Sequence, residues 1–526
     1  MKASEEKKYE HLSPFELKDK LIQMASSKNE KLMLNAGRGN PNWLATEPRM
    51  AFLQLGNFAI QESKKTGESD QLGGTPQQEE IAQRFETFLR EKEGKQGIDF
   101  LKKAYYYATE KIQINDDEFV FEITDAILGD HYPTPDRMLT NCERVVQRYL
   151  EKEMFASQPP VGKINIFATE GGTAAMDYIF STLLENNLLH KGDKIALGTP
   201  IFTPYIEIPR LNDYQLVELK IKQDEDNNWV YPEKEIEKLS DPQIKAFFLV
   251  NPSNPSSVSM SQESLNKVTE IVKNKNQNLI ILTDDVYGTF VNDFKSIAHA
   301  APYNTILVYS YSKYFGCTGI RLGVIAIHEN NVFDKRIAGF SENVTKQLYK
   351  RYESVVLNPN KMKLIDRMVA DSRSVALNHT AGLSTPQQVM MVLFSLLSLT
   401  DNNNDYKKMV QSVVKRRFEI LYKAIGIKVP NNPLGTHYYT IIDIPKLAAK
   451  RYDKHFADHM VETYEPIDFV MRLAEEKSVV LLNGGGFEAP DMSVRVSLAN
   501  LSDKAYEKIG KAISDLLEEY YRKYKQ

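Results

Sequence analysis

The sequence predicts an α/β fold, with a large domain built on a mostly parallel central sheet between helices and a smaller α+β domain. Two observations carry this reading. From about residue 125, short apolar β-branched runs alternate with segments of helical period. Beyond about residue 330 the pattern turns mainly helical up to Tyr422, then resumes as α plus β. The expected division is 1–124 as an N-terminal arm with the first part of the small domain, 125–372 as the large domain, and 373–526 as the C-terminal small domain.

Taken in order, the first element is a helix starting at Ser13. Ser13-Pro14-Phe15-Glu16 supplies an N-cap hydroxyl, a proline at the first helical position and a glutamate three residues on, with Leu12 and Leu17 as a staple. Lys18 and Lys20 lie in this helix, where a solvated lysine is the default. Next, Asn35-Ala36-Gly37-Arg38-Gly39-Asn40-Pro41-Asn42-Trp43 sets two glycines beside an arginine, which permits close backbone approach to an anion; an ordinary turn is the plain alternative. Residues 60–120 are charged and helical in pattern, with a solvent-facing loop at Glu91 to Gly97.

Ile164 to Ala168 reads as a strand running into Gly171-Gly172-Thr173, after which Met176, Ile179, Phe180, Leu183 and Leu184 fall at helical spacing. Strand, glycines and helix start make a ready anion site, because free N–H groups and the positive end of the helix dipole meet there. The segment lacks the spacing of a Walker lysine or a dinucleotide fingerprint. Further strands read at Lys194 to Leu197, Ile244 to Val250 and Leu279 to Thr283. Each ends in a polar cluster: Gly198 to Phe202, Asn251 to Ser257, and Asp284 to Tyr287. In an open parallel sheet, ligands bind at the carboxyl ends of the strands.

The most informative stretch is Ser310 to Arg321, between apolar runs at Thr305–Tyr309 and Leu322–Ile327. A lysine at the end of a core strand is costly unless used, and a lysine in a cleft of low dielectric can attack an aldehyde to form an imine. Ser310, Ser312 and Arg321 are the donors a phosphate wants. A Schiff-base lysine beside a phosphate clamp suggests pyridoxal phosphate at Lys313; a surface lysine at a strand end is the plain alternative. Later strands are expected at Thr440 to Ile444, Ser478 to Leu482 and Ser493 to Ala499, with Asn483 to Phe487 a flexible turn. Arg495, between apolar neighbours, wants a carboxylate, either a structural partner or a substrate.

Composition bounds the function. The chain has 526 residues, 66 basic and 70 acidic side chains and a net charge of -4, which recommends no nucleic-acid partner. Two cysteines, Cys142 and Cys317, suit a reducing compartment better than a disulfide framework. Met1 to Glu10 has no apolar core of a secretory signal, and Val389 to Leu399 is too short to span a membrane. A cytoplasmic protein without membrane or metal partners is expected.

The ordered set Gly-Gly-Thr, Phe202, Asn254-Pro255, Asp284-x-x-Tyr287, Ser310-x-Ser312-Lys313, Arg321 and Arg495 resembles the fold type I pyridoxal-phosphate aminotransferases of class I/II, from about residue 120 to the end. Ser-Pro-Phe-Glu-Leu-Lys-Asp and Asn-Ala-Gly-Arg-Gly-Asn-Pro-Asn-Trp resemble, more narrowly, the aspartate 4-decarboxylase group. The resemblance implies β-decarboxylation of L-aspartate to L-alanine and carbon dioxide, with aspartate aminotransferase activity on 2-oxo acids beside it. It implies that Lys313 forms the Schiff base and moves the Cα proton, and that Asp284 pairs with the pyridine nitrogen. Tyr287 and Asn254 would bond the ring's phenolic oxygen and Phe202 would stack on the ring. Gly172, Thr173, Ser310 and Arg321 would hold the phosphate, with Tyr132 reaching the phosphate of a neighbouring subunit. Arg495 would bind the α-carboxylate. The arginine by which familiar aspartate aminotransferases bind the second carboxylate has no evident counterpart; Arg38, with Gly37 and Lys18, is the substitute implied. A homo-oligomer is also implied, at least a dimer and up to a dodecamer. A dedicated aminotransferase and a non-catalytic pyridoxal-phosphate-binding regulator are the alternatives.

Overall fold

A computed structural model describes residues 6–10, 12–27, 33–211, 217–226, 228–373 and 382–526. Its strands are β1 (Leu34–Asn35), β2 (Ile164–Thr169), β3 (Lys194–Thr199), β4 (Val217–Lys222), β5 (Ile244–Val250), β6 (Ile280–Asp284), β7 (Thr305–Ser310), β8 (Gly323–His328), β9 (Tyr439–Asp443), β10 (Val479–Val480), β11 (Leu482–Asn483) and β12 (Ser493–Ser497). Four helices bear on the site: α1 (Pro14–Ser27), α2 (Thr46–Thr66), α3 (Gly172–Glu185) and α4 (Thr385–Thr400). The chain divides into two compact units, Met1–Asn42 with Lys194–Val268 and Lys408–Gln526, and Trp43–Asp193 with Thr269–Lys407.

In the first unit, β3 runs parallel to both β4 and β5. The carboxyl ends of β3 and β5 therefore share one edge, which brings Phe202 and the Asn251–Ser257 loop to the same side. A separate antiparallel set, β11-β12-β9, and a short parallel pair of β1 with β10 complete its sheets. The stretch expected as one strand over Ser478 to Leu482 is two, because β10 pairs with β1 while β11 turns to pair with β12. Helix α1 starts at Pro14, as its capping residues require, and the Leu17 amide donates to Ser13 O at 2.9 Å. Leu17, Leu21, Met24 and Ala25 form its buried stripe, at the i, i+4, i+7, i+8 spacing of a helix that packs one face on a core.

In the second unit the strand order is β2-β8-β7-β6, with β7 parallel to β6 and β8 antiparallel to both its neighbours. Strands β6, β7 and β8 are buried at every residue, the signature of strands covered on both faces. The register sets Thr169 opposite Gly323, Gly323 opposite Ser310, and Val308 opposite Asp284. Residues of four strands thus meet at one end of this sheet. The greasy run Val389–Leu399 forms most of α4, a buried helix of this unit, and among the described residues no helix is long and apolar enough to cross a membrane.

Candidate active site

The second unit carries a candidate anion-binding group. Gly171 caps α3 with φ +98°, and no side chain caps the helix, so the amides of its first turn are open to a ligand. Arg321 stands beside them in left-handed backbone, φ +62°, its Nη2 donating to Glu170 O at 3.2 Å and Nη1 to Thr318 O at 2.8 Å. A Cβ on Gly171 would lie 2.5 Å from Arg321 Nη2, and one on Gly323 would lie 2.7 Å from the Gly171 carbonyl carbon. Both glycines are the space in which the arginine reaches the helix terminus. Gly172 is buried and Thr173 exposed at the rim. The buried Ser310 hydroxyl donates to Ser312 Oγ at 3.0 Å and lies 3.3 Å from Leu322 O. Open N–H groups, hydroxyls and a planar cation in one place fit a phosphate ester.

Beside this cradle, at the ends of the parallel pair β6 and β7, lie Asp284 and the turn with Lys313. Asp284 is 5 % exposed and its Oδ1 accepts from the Val286 amide at 3.1 Å. Tyr287 is buried one turn on, and Lys313 is half-buried. A second acid, Asp285, is wholly buried next to Asp284; burial, above all, pushes its carboxyl up to about 8. A buried carboxyl in that range stays protonated at neutral pH, which leaves the negative charge of this strand end on Asp284. Tyr132 is 64 % exposed on the surface of the same unit.

The first unit carries a candidate carboxylate-binding group. Arg495, 1 % exposed on β12, lies between the rings of Tyr439 and Phe487, with its guanidinium carbon 4.4 Å and 4.8 Å from their centroids. Its Nη1 donates to Asn254 Oδ1 at 3.1 Å and its Nη2 to Gly37 O at 2.8 Å. Asn254, Gly37 and Arg495 are therefore one hydrogen-bonded group, and Arg38, the next residue, is exposed beside it. The Gly37 segment is held from both sides, by the Ala36 amide on Val480 O at 3.0 Å and the Ser497 amide on Ala36 O at 2.8 Å. Phe202 is half-buried with its ring edge-on to Phe15, 5.6 Å between centroids; Lys18, 20 % exposed at its side chain, has its ammonium 5.8 Å from the same Phe15 ring.

Several residues of the site carry no clear mark in the sequence. Gly323 shapes the cradle, yet glycine at the start of a strand is too common to single out. Asp285 is overshadowed by the more obvious acid beside it. The segment Asn483 to Phe487, expected as a flexible turn, is a pinned one: Gly485–Phe487 is a 3-10 turn, the Thr203 hydroxyl donates to Gly486 O at 2.7 Å, and the Ile201 amide to Phe487 O at 2.9 Å. Phe487 gains a role there, because its ring backs Arg495.

Residues 157–513 match the model of the family aminotransferase class I and II. The chain belongs to that family. Over 517 residues, 98 % of this chain and 97 % of the relative, it is 48 % identical to a bifunctional aspartate aminotransferase and L-aspartate β-decarboxylase of a Pseudomonas species. It is 25 % identical over 62 % of its length to an aspartate aminotransferase of Sulfolobus acidocaldarius, covering 71 % of that protein. Among solved structures, Thermus thermophilus aspartate aminotransferase with maleate is similar at a TM-score of 0.60, with 16 % identity and 96 % of each chain covered. An aromatic aminotransferase of Pyrococcus horikoshii is similar at 0.57, with 16 % identity, 95 % of this chain and 99 % of that one. The fold is that of the fold type I aminotransferases, a mostly parallel sheet flanked by helices.

Proposed function

We propose that this family member is a pyridoxal-phosphate-dependent aspartate 4-decarboxylase that also transaminates aspartate. The observation that carries the substrate is the Gly37–Arg495 hydrogen bond. It fixes the backbone of a second arginine, Arg38, next to a buried guanidinium, so one small ligand with two carboxylates can meet two cations. The extent of identity to the bifunctional Pseudomonas relative supports the same reading.

The residues fit the cofactor. Gly172, Thr173, Ser310 and Arg321 would hold its phosphate, Asp284 its pyridine nitrogen, Tyr287 and Asn254 its phenolic oxygen, Phe202 its ring face and Lys313 its aldehyde carbon; Tyr132 would serve the phosphate in a neighbouring subunit. Bound there, the cofactor supplies an electron sink for bonds broken at the substrate amino acid. Lys313 Nζ would take the proton from the substrate Cα. Asp284, buried, would hold a proton on the pyridine nitrogen. Arg495 orients the α-carboxylate through its planar fork.

The distal carboxylate sets a physical limit on its own binding. A bidentate clamp would stabilise the charged group more than the transition state in which that charge leaves as carbon dioxide, and so would slow the reaction. One exposed cation, Arg38, with Lys18 in support, orients the bond at less cost. The reading includes a cytoplasmic homo-oligomer, at least a dimer, with the cofactor domain at 125–372 and flanking parts 1–124 and 373–526. The test is incubation of the purified protein with aspartate and pyridoxal phosphate, with and without a 2-oxo acid as amino acceptor. Alanine and carbon dioxide in equal amounts are expected, with a minor yield of oxaloacetate. Oxaloacetate without carbon dioxide would replace the reading by a dedicated aminotransferase.

A further inference from the structure

The turn that carries Lys313 is held in place by a group of donors far away in sequence. Residues 311–316 form a helical turn after β7, in which the Phe315 amide donates to Tyr311 O at 3.3 Å and the Cys317 amide to Ser312 O at 3.0 Å. The last three carbonyls of such a turn have no partner within it and need outside donors. Each finds one in the same unit. Tyr314 O accepts from Trp43 Nε1 at 3.1 Å and from the Tyr406 hydroxyl at 2.8 Å. Phe315 O accepts from the Ala45 amide at 3.2 Å and from Arg49 Nη1 at 3.3 Å. Gly316 O accepts from Arg49 Nη2 at 2.8 Å.

Arg49, on α2, is the only one of these donors that spans two carbonyls. Its own place is fixed by Ala45 O, which accepts from Nη1 at 2.5 Å, and by the Phe394 ring 5.2 Å below the guanidinium. Phe394 in turn stacks on Phe315 at 4.9 Å and 18°. Gly316, at φ +60°, lies against the Trp43 carbonyl so closely that any Cβ there would overlap it.

We propose that Arg49 is a positioning residue for Lys313, setting the orientation of the turn from which the amine reaches the cofactor. The inference rests on the proposed function. A reacting group must be held to within about 0.5 Å of its working geometry, and a displacement of about 1 Å can cost about a hundredfold in rate. Arg49 touches no reacting atom; it acts through the carbonyls of residues 315 and 316. A lysine in its place keeps one charge and can serve one carbonyl, whereas a methionine fills the space over Phe394 and serves neither.

The test compares wild type, Arg49→Lys and Arg49→Met in the full chain with pyridoxal phosphate. Three readings are taken: the pH titration of the lysine-bound cofactor's absorbance, kcat and KM for aspartate, and amide hydrogen exchange at residues 314–318 of the unloaded protein. Arg49→Met is expected to load cofactor, to lose about 10- to 100-fold in kcat with KM within about threefold, and to move the absorbance midpoint by about half a pH unit or more. Exchange at 314–318 is expected to rise, and Arg49→Lys to recover part of each change. A titration curve and kcat that superimpose on wild type, even with a lower melting temperature, would reduce Arg49 to a structural staple and overturn the proposal. If Arg49→Met fails to fold, Arg49→Lys decides: it can serve only one of the two carbonyls, and a titration curve and kcat that superimpose on wild type overturn the proposal equally. A wild type with no lysine-bound chromophore would instead defeat the function reading itself.

Discussion

Replacing Asp285 with asparagine isolates the charge state of the strand end that carries Asp284. In the folded protein the carboxyl of Asp285 titrates at about 8 instead of 3.8; burial is the main cause, the Ser296 and Thr283 hydroxyls oppose it, and the charge of Asp284 adds to it. Its Oδ1 accepts from Thr283 Oγ1 at 2.5 Å, and its Oδ2 has no well-aligned partner among the described residues. The unfolded chain loses this proton near pH 4 and the folded chain only near pH 8. Between those values the folded state binds more protons, so the contribution to stability is complete at low pH and is lost as pH rises through about 8. A gap of about 4 pH units, at about 1.4 kcal/mol each, makes the full loss about 6 kcal/mol, of which about 4 kcal/mol falls between about pH 5 and about pH 8. The asparagine of the Asp285→Asn variant would keep the acceptor for Thr283 and cannot titrate. Urea unfolding of the unloaded protein across this pH range should therefore show wild type losing stability relative to Asp285→Asn. Parallel curves for the two proteins would mean that Asp285 is ionised when folded, and the assignment of the lone negative charge to Asp284 would fail.

Three further outcomes rest on the same geometry. Gly171→Ala puts a methyl 2.5 Å from Arg321 Nη2 at φ +98°, so pyridoxal phosphate should bind at least about tenfold more weakly while phosphate-free pyridoxal changes little; titration of the unloaded protein with each checks this. In Gly486→Ala the added methyl would overlap the Pro14 ring. The start of α1 should then be cut faster by a protease, and turnover of aspartate should fall with cofactor content unchanged. Arg38→Ala should lower alanine formation from aspartate by about tenfold or more while the bound-cofactor spectrum stays as in wild type; undiminished alanine would remove Arg38 from the substrate site.

Legibility in the sequence tracks the range of the interaction. The strand expected over Ile244–Val250 is β5, because a run buried on both faces declares itself residue by residue. Strand β4, Val217–Lys222, alternates apolar and charged residues through Val-Glu-Leu-Lys-Ile-Lys, so a strand is legible there; its parallel pairing with β3 is long-range and has no mark of its own. The candidate cofactor residues of β6, β7 and the α3 terminus are legible because expensive residue types stand at strand ends. Arg49 is not, since its partners lie 266 and 267 residues away and are backbone carbonyls, which have no letter in a sequence.

Arg321 shows why strain and function coincide in this cradle. A non-glycine residue in left-handed backbone costs about 1 kcal/mol or more, and a glycine at 321 would remove that cost. It would also remove the one guanidinium tied to both Thr318 O and Glu170 O. The conformation is what turns the side chain back toward α3 instead of along β8. Gly171 and Gly323 then have to lack side chains, because either Cβ would close the space the turned arginine and the helix terminus share. Gly171, Arg321 and Gly323, from two distant parts of the chain, are thus fixed by one requirement: a cation held against open amides, with no protein carboxylate hydrogen-bonded to it among the described residues. Open amides and a guanidinium turned to one point attract an anion, and that is the physical argument for a phosphate at this end of the sheet.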